Sequence, residues 1–376
     1  MVACEVLIVG GGPAGSSCAW KLREAGLDVI VMDRATFPRD KVCGGWITPQ
    51  VVADLRLDTE DYRRGRTFQP ITGFRTGTIG GRREIETSYG SAVSFGIRRR
   101  EFDDYLLRRS GAHVRPGTPI ASIRREGAGW IVNDTITARM LVGAGGHFCP
   151  VARWLNDTLD PAAVAPLVVA QEVEFAVDPR DASSFTTAPE TPELYFCRDL
   201  RGYGWCFRKQ DYLNIGLGRA DRHSLPRATA EFVAFLEDRA KIPRLTSWPW
   251  RGHAYLLHDS IHRRLVDAGV MLVGDAAGLA YPQSGEGIRP AIESGLLAAL
   301  TIIEASGRYT RDGLDPYEAR LRARFGAPRS RGASRILASR MWTPLTSALL
   351  GMPSFVRHVA LDRWFLHADA PPLAAA

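Results

Sequence analysis

No apolar run in this chain reaches the roughly 18 residues that a membrane-spanning helix needs. The nearest, Met341 to Val356, is uncharged but broken by Pro344 and Pro353. Cysteine is sparse and scattered, at Cys4, Cys18, Cys43, Cys149, Cys197 and Cys206, with no Cys-x-x-Cys and no histidine pair at metal-ligand spacing. These absences argue against a disulfide framework and against a metal site. An apolar strand opens at residue 5, which leaves no room for a signal peptide. A cytoplasmic protein is expected, and its one route to a membrane is peripheral.

At 376 residues the chain is long for one core, so a large domain with an inserted layer, or two domains, is expected. Charged residues at 24% and hydrophobic residues at 45% suit a soluble globular enzyme. The net charge of +7 is unevenly placed: Arg308 to Arg340 holds nine arginines against Asp312, Asp315 and Glu318. Such a stripe can be a solvated helix face or can meet an anionic lipid surface or a diphosphate. No nucleic-acid-binding module is recognisable, so that partner is not expected.

Four separated segments carry the chemistry. Val6-Leu7-Ile8-Val9 runs into Gly10-Gly11-Gly12-Pro13-Ala14-Gly15, a strand, a Gly-x-Gly-x-x-Gly turn and a helix. Gly10 permits the tight turn, Gly12 lets a pyrophosphate approach the backbone, and Gly15 lets the helix pack on the strand. The helix start offers free N–H groups to phosphate. Asp33, followed by Arg34, ends the next strand about 20 residues on, where a carboxylate holds a ribose hydroxyl. Gly143-Ala144-Gly145-Gly146 and Val273-Gly274-Asp275-Ala276-Ala277-Gly278 follow. Asp275 at a strand end can bond a ribityl hydroxyl. Gly285-Glu286-Gly287-Ile288 opens a helix whose positive end can face a flavin ring that gains negative charge on reduction. In this order the segments predict noncovalently bound FAD. No second Gly-x-Gly-x-x-Gly follows a strand, so the reductant is either transiently bound NAD(P)H or a ferredoxin.

The spacing predicts an α/β fold: a Rossmann-type FAD-binding domain at 1–160 and 261–310, an antiparallel β-sheet substrate domain at 161–260, and a helical C-terminal region at 311–376. Strands are expected at 166–177, 193–197, 203–208 and 212–218, and helices at 101–109, 229–241 and 285–306. Residues 46–95 show only weak, short strands. Tyr203, Trp205 and Phe207 alternate, so they share one strand face. Leu213, Ile215 and Leu217 on the next strand are expected to add an apolar neighbour face. Together they would form a wall suited to a hydrophobic small molecule.

The chain resembles the FAD-dependent aromatic hydroxylase superfamily, and more closely its geranylgeranyl reductase branch. The resemblance spans residues 4 to about 305. It is carried by Lys41-Val42-Cys43-Gly44-Gly45, by Arg99 with Phe102-Asp103, and by Gly202 to Phe207 and Asn214 to Gly218. Gly274 to Gly278 and Gly285 to Ile288 complete it. It implies that Lys41, Cys43, Gly44, Arg99, Ile120, Ala144 and Gly145 join the motif residues above in holding FAD. It also implies that Cys43, Tyr203 and Trp205 serve the reaction. Two departures stand out. The family's Gly-Ala-Asp-Gly reads Gly143-Ala144-Gly145-Gly146 here, and its Phe-Pro reads Phe207-Arg208, which places a charge at the end of the expected wall. Cys43, close to Lys41, is either a small residue accommodating the cofactor or a thiol of lowered pKa.

The activity implied is reduction of prenyl or isoprenoid C=C bonds by hydride from flavin N5. The alternatives are an FAD-dependent monooxygenase acting on an aromatic or lipidic substrate, a flavin-dependent halogenase and a non-enzymatic flavoprotein. The fold alone supports the reductase and the monooxygenase equally. The halogenase reading needs a lysine facing a tunnel from the flavin. This chain has only Lys21, Lys41, Lys209 and Lys241, and none between residues 42 and 208.

Overall fold

The computed structural model describes residues 1–157, 167–244, 249–258, 263–327 and 348–373. Val2–Val9, Pro13–Glu24 and Val29–Met32 form a strand–helix–strand crossover with parallel pairing, Val6 opposite Val29. Both strands are apolar from Val6 to Val9 and from Val29 to Met32, because the sheet is covered on both faces. Ile136–Gly143 pairs in parallel on the other side of Val2–Val9, and Val270–Leu272 pairs in parallel beyond it. The first glycine loop, Asp33, Gly143 and Gly274 therefore all emerge at the same strand ends, where α/β sheets bind their ligands.

A second sheet of seven strands runs in the order Arg251–Leu256, Leu167–Ala176, Tyr212–Arg219, Gly202–Lys209, Glu193–Phe196, Gly73–Thr78 and Glu84–Ser88. Its pairings are antiparallel except Glu193–Phe196 against Gly73–Thr78. The last two strands come from within 46–95, so the sheet draws on residues outside the expected 161–260. The Gly- and Thr-rich sequence of Gly73–Thr78 hides its period-2 signal, and pairing with Glu193–Phe196 on one side and Glu84–Ser88 on the other supplies what local propensity does not. Arg251–Leu256 was also not expected as a strand. The expected domain limits near 160 and 260 fall outside the described residues.

The three expected helices deviate only at their ends, while the short helices Pro49–Asp54, Thr59–Arg63 and Pro150–Leu155 were not expected. Arg99–Arg109 starts two residues early, Leu225–Asp238 four residues early, and Ile288–Ala305 three residues late. Gly285 has φ +66° and stays in the loop. In the C-terminal region Pro316–Phe325 is helical and Val356–Phe365 is a π-helix. Arg311, Arg320, Arg322 and Arg324 each pair with a carboxylate. Arg329, Arg331, Arg335, Arg340 and residues 341–347 lie outside the described residues. Among those described, no helix is long and apolar enough to cross a membrane.

Ile288–Ala305 crosses Pro13–Glu24 at Gly295, where an added Cβ would lie 2.3 Å from the Ala14 carbonyl oxygen. Backbone cannot retreat as a side-chain tip would. Gly295→Ala is therefore expected to cost about 1–3 kcal/mol of overpacking. The urea midpoint should fall with the slope unchanged, and an unaltered midpoint would show that the helices do not cross this closely.

Candidate active site

A cavity of about 620 Å³ lies between the strand ends of the first sheet and one face of the second. Gly10, Gly12, Pro13 and Ala14 line it from the first loop, and Asp33 and Arg34 from the next strand end. Lys41, Cys43, Gly44, Arg99, Ile120, Ala144 and Gly145 line its sides. Asp275, Gly285, Gly287 and Ile288 close the far end, where Tyr203 and Trp205 of the second sheet meet it. Gly15 and Gly274 stand behind the lining. An added Cβ at Gly15 would lie 1.9 Å from the Gly10 carbonyl oxygen, and one at Gly274 3.0 Å from Ala14 Cβ. Both hold the turns together rather than facing the space.

At one end, Asp33 Oδ2 accepts the Gly11 N–H at 2.8 Å and Oδ1 accepts the Ala35 N–H at 2.8 Å. Each oxygen keeps acceptor capacity for a hydroxyl in the cavity. The Pro13–Glu24 helix begins at Gly12 with no side-chain cap, so its first N–H groups face the space. Arg39, not singled out from sequence, brings Nη2 to 3.3 Å from where a Gly12 Cβ would sit. Its other partner is buried Asp103, at 3.1 Å, which Arg99 also grips with two bonds of 2.7 and 2.9 Å. Two guanidinium groups share one carboxylate, so positive charge remains beside the helix start. Arg34, Arg39 and Lys41 in one loop were the available signal.

At the other end, Asp275, Lys41 and His253 form a polar triad. Lys41 Nζ lies 2.6 Å from His253 Nε2, which is 3.6 Å from Asp275 Oδ2. Burial opposes the Asp275 charge, yet the His253 hydrogen bond and the Lys41 and Arg99 charges hold its carboxyl at about 2. Burial lowers Lys41 to about 8, against the pull of Asp275. Tyr255, two residues on from His253 and on the same strand face, abuts Gly285. An added Cβ there would meet the Tyr255 hydroxyl at 2.2 Å. The His253–Tyr255 alternation was the missed sequence signal for this strand.

Cys43 ties the two sheets together. Its N–H donates to Glu172 Oε2 at 2.5 Å, and its carbonyl accepts from Asn214 Nδ2 at 3.3 Å. Asn214 Oδ1 accepts the Trp205 indole N–H at 2.6 Å, and its Nδ2 also donates to Glu174 at 3.2 Å. Glu174 is ion-paired with buried Lys209 at 3.0 Å. Burial pushes the Cys43 thiol up, with Arg99 pulling the other way. Lys41 turns to His253, so both contacts and burial favour the reading of Cys43 as a small thiol accommodating the cofactor over a thiolate. Burial raises Glu172 to about 8.

Two further readings of the wall are corrected by register. Trp205 pairs with Gly216 and Phe207 with Asn214, so Leu213, Ile215 and Leu217 face the other side, against Phe232 and Leu236. Opposite the aromatic row stand small Gly216 and Gly218; an added Cβ at Gly216 would lie 2.2 Å from the Trp205 ring. Arg208 also points away, bonding Gln210 O at 2.8 Å. The charge on the wall face is Lys209, neutralised by Glu174.

These groups are suited to FAD: Asp33 would take the ribose, Gly12 to Ala14 with Arg39 the pyrophosphate, Asp275 the ribityl chain, and Gly285 to Ile288 with Cys43-Gly44 the ring. Gly12→Val is expected to abolish FAD binding without unfolding the protein, because only the movable Arg39 tip crowds that position. Absorbance of the purified variant, alongside its circular dichroism, checks this; a folded variant with full FAD would sink the assignment. Glu172 gives a second test. A carboxyl raised in the folded state contributes stability that is full below its ordinary value of 4.5 and lost as pH rises through about 8. Glu172→Gln keeps the acceptor for Cys43 but cannot ionise. Its urea stability should decline less than wild type over that window, while Glu286, raised to about 7 by burial, keeps part of the slope. Equal slopes would mean that Glu172 is not buried as described.

Residues 3–327 match the family described as FAD binding domain. The chain is 30% identical to menaquinone reductase of Mycobacterium tuberculosis, over 79% of this chain and 76% of that protein. It is 30% identical to geranylgeranyl diphosphate reductase of Rhodobacter capsulatus, over 87% and 81%. It is 28% identical to digeranylgeranylglycerophospholipid reductase of Methanothrix thermoacetophila, over 86% and 84%. Among solved structures, a geranylgeranyl bacteriochlorophyll reductase-like protein of Thermoplasma acidophilum superposes with a TM-score of 0.73 at 23% identity, covering 94% of this chain and 88% of that one. A flavin-dependent brominase superposes at 0.71 and 17% identity, covering 99% and 95%, which is likeness of fold alone. With the glycine turns, Asp33 and Asp275 converging on one cavity, the chain belongs to the FAD-binding-domain family and is an FAD-dependent oxidoreductase.

Proposed function

We propose that this protein is a reductase that saturates carbon–carbon double bonds of an isoprenoid substrate. The observation that carries the reading is the aromatic face of the second sheet, which meets the cavity at Tyr203 and Trp205 and continues through Phe207 and Leu194. The names of the three relatives share one chemical element, an isoprenoid chain. When bound, FAD supplies a two-electron donor suited to an activated or isolated double bond.

The chain's own residues divide the remaining work. Trp205 spends its N–H on Asn214, so it offers a substrate only its apolar ring. Tyr203 donates its hydroxyl to the Ser284 carbonyl at 2.6 Å. It therefore positions the 281–287 loop and presents a ring edge rather than a free hydroxyl. Cys43 and Tyr255 sit beside the cavity, and burial pushes both the thiol and the phenol up. Either can complete addition across a double bond as a proton donor. The apolar wall keeps water away from the reacting carbon. Membrane contact, which would bring a lipid substrate to this wall, is proposed only as a peripheral one.

Anaerobic stopped-flow with photoreduced holoenzyme tests the reading without requiring the physiological electron donor. Geranylgeranyl diphosphate or menaquinone should reoxidise the protein and emerge with fewer double bonds. Substrate-stimulated oxygen consumption with a hydroxylated product would assign a monooxygenase instead. Trp205→Ala should retain FAD and slow anaerobic reoxidation on the order of a hundredfold, the cost of a misplaced substrate. Parallel loss of FAD and rate would make Trp205 a folding residue.

A further inference from the structure

The apolar face does not end at Trp205. Leu194 lies directly opposite Trp205 on the neighbouring strand, and Phe74 shares that face on the strand beyond. This continuation is covered. Val356, Leu361, Phe365 and Leu366 of the C-terminal segment are buried against it, in one cluster with Trp46, Phe74, Leu194, Trp205 and Phe207. Phe365 packs edge-on against Tyr203 with ring centres 5.1 Å apart, and tilted against Trp46 at 5.8 Å. Tyr203 and Trp46 line the cavity and Phe365 does not. Phe365 thus stands behind the rings at which the open space stops.

The cover is anchored at both ends. Tyr89 donates its hydroxyl to Asp362 Oδ1 at 2.6 Å, on the second sheet's edge. Arg289 Nη1 donates to the His367 carbonyl at 3.2 Å, and the His367 ring stacks on Tyr281 with centres 3.7 Å apart. Trp46, by contrast, is buried with its indole N–H unpartnered among the described residues, so no hydrogen bond fixes its ring. The segment lies beyond residues 3–327, the range that matches the family. It is placed where a long apolar substrate would run.

We propose that Phe365 is the stop of the substrate channel and sets the length of isoprenoid chain the protein accepts. The proposal rests on the isoprenoid reading above. A chain whose reacting double bond lies at the cavity must extend along the aromatic face, displacing Trp46. It can go no further than Phe365, which is held by Tyr203 and by the two anchors of its segment.

The test uses oxidised holoenzyme and labelled geranyl, farnesyl and geranylgeranyl diphosphates in equilibrium dialysis, with anaerobic reoxidation of photoreduced protein as a second readout. Phe365→Ala should shift the ratio of long-chain to short-chain affinity by roughly tenfold toward the longer chain, the scale of discrimination that apolar pocket volume supports. Phe365→Trp should shift it the other way. Phe365→Leu, closer in size and apolar, guards against misfolding, with FAD content as the check, and should give an intermediate shift. An unchanged length profile in all three folded variants overturns the stop. So does an equal weakening for every chain, which would make Phe365 a support of the wall. If wild type neither binds any of the chains nor is reoxidised by them, the isoprenoid reading falls and the stop falls with it.

Discussion

Everything at the cofactor site depends on backbones approaching more closely than any side chain allows. An added Cβ on Gly10 would lie 2.3 Å from the Ala144 carbonyl oxygen, one on Gly15 1.9 Å from the Gly10 oxygen, and one on Gly295 2.3 Å from the Ala14 oxygen. Three elements distant in sequence therefore meet around one turn. Their convergence puts Asp33, Asp275 and the start of Ile288–Ala305 around a single cavity. Side-chain chemistry can then be spent on the ligand instead of on holding the loops. Gly12 differs from its neighbours: it is crowded only by a guanidinium, so its lack of a side chain serves the cavity rather than the fold.

The parts of the molecule legible in the sequence are those written locally. A glycine turn after an apolar strand, a carboxylate at a strand end and a helix entered at Gly287 each declare themselves within ten residues. The long alternating strands at 202–219 do the same. What was not legible depends on pairing. Gly73–Thr78 has no strong period of its own and becomes a strand through Glu193–Phe196, more than a hundred residues away, and Glu84–Ser88 then adds to its edge. The side on which Leu213, Ile215 and Leu217 face follows from a register that only the structure supplies. The missed residues Arg39, His253, Tyr255 and Glu172 belong to no motif; each matters because of what folds against it.

Cys43 shows how a short loop acquires a fixed position without rigid sequence. The glycines at 44 and 45 leave it mobile as an isolated peptide. Glu172 and Asn214, both on the second sheet, then clamp the Cys43 N–H and C=O from one side. Asn214 also takes the Trp205 indole, so the aromatic wall and the cofactor loop share one amide. Glu174 and Lys209 complete a buried network whose charges are paired. Removing one member of a buried pair costs about 3–5 kcal/mol, so this network resists single substitutions. The two sheets meet through it, and the relative placement of ring and wall is set by hydrogen bonds rather than by apolar contact alone.

The scarcity of lysine becomes useful once the four are placed. Lys209 and Lys241 are buried in ion pairs with Glu174 and Glu193, and Lys21 lies on the outer face of the first helix beside Glu24. Lys41 alone faces the cavity, with an amine lowered to about 8. Burial thus favours its uncharged, nucleophilic form more than an ordinary lysine's surroundings do. In a chain whose positive charge is almost all arginine, amine-directed covalent labelling has few targets, and protection of Lys41 by a bound nucleotide can be read against Lys21 and the exposed Met1 α-amino group.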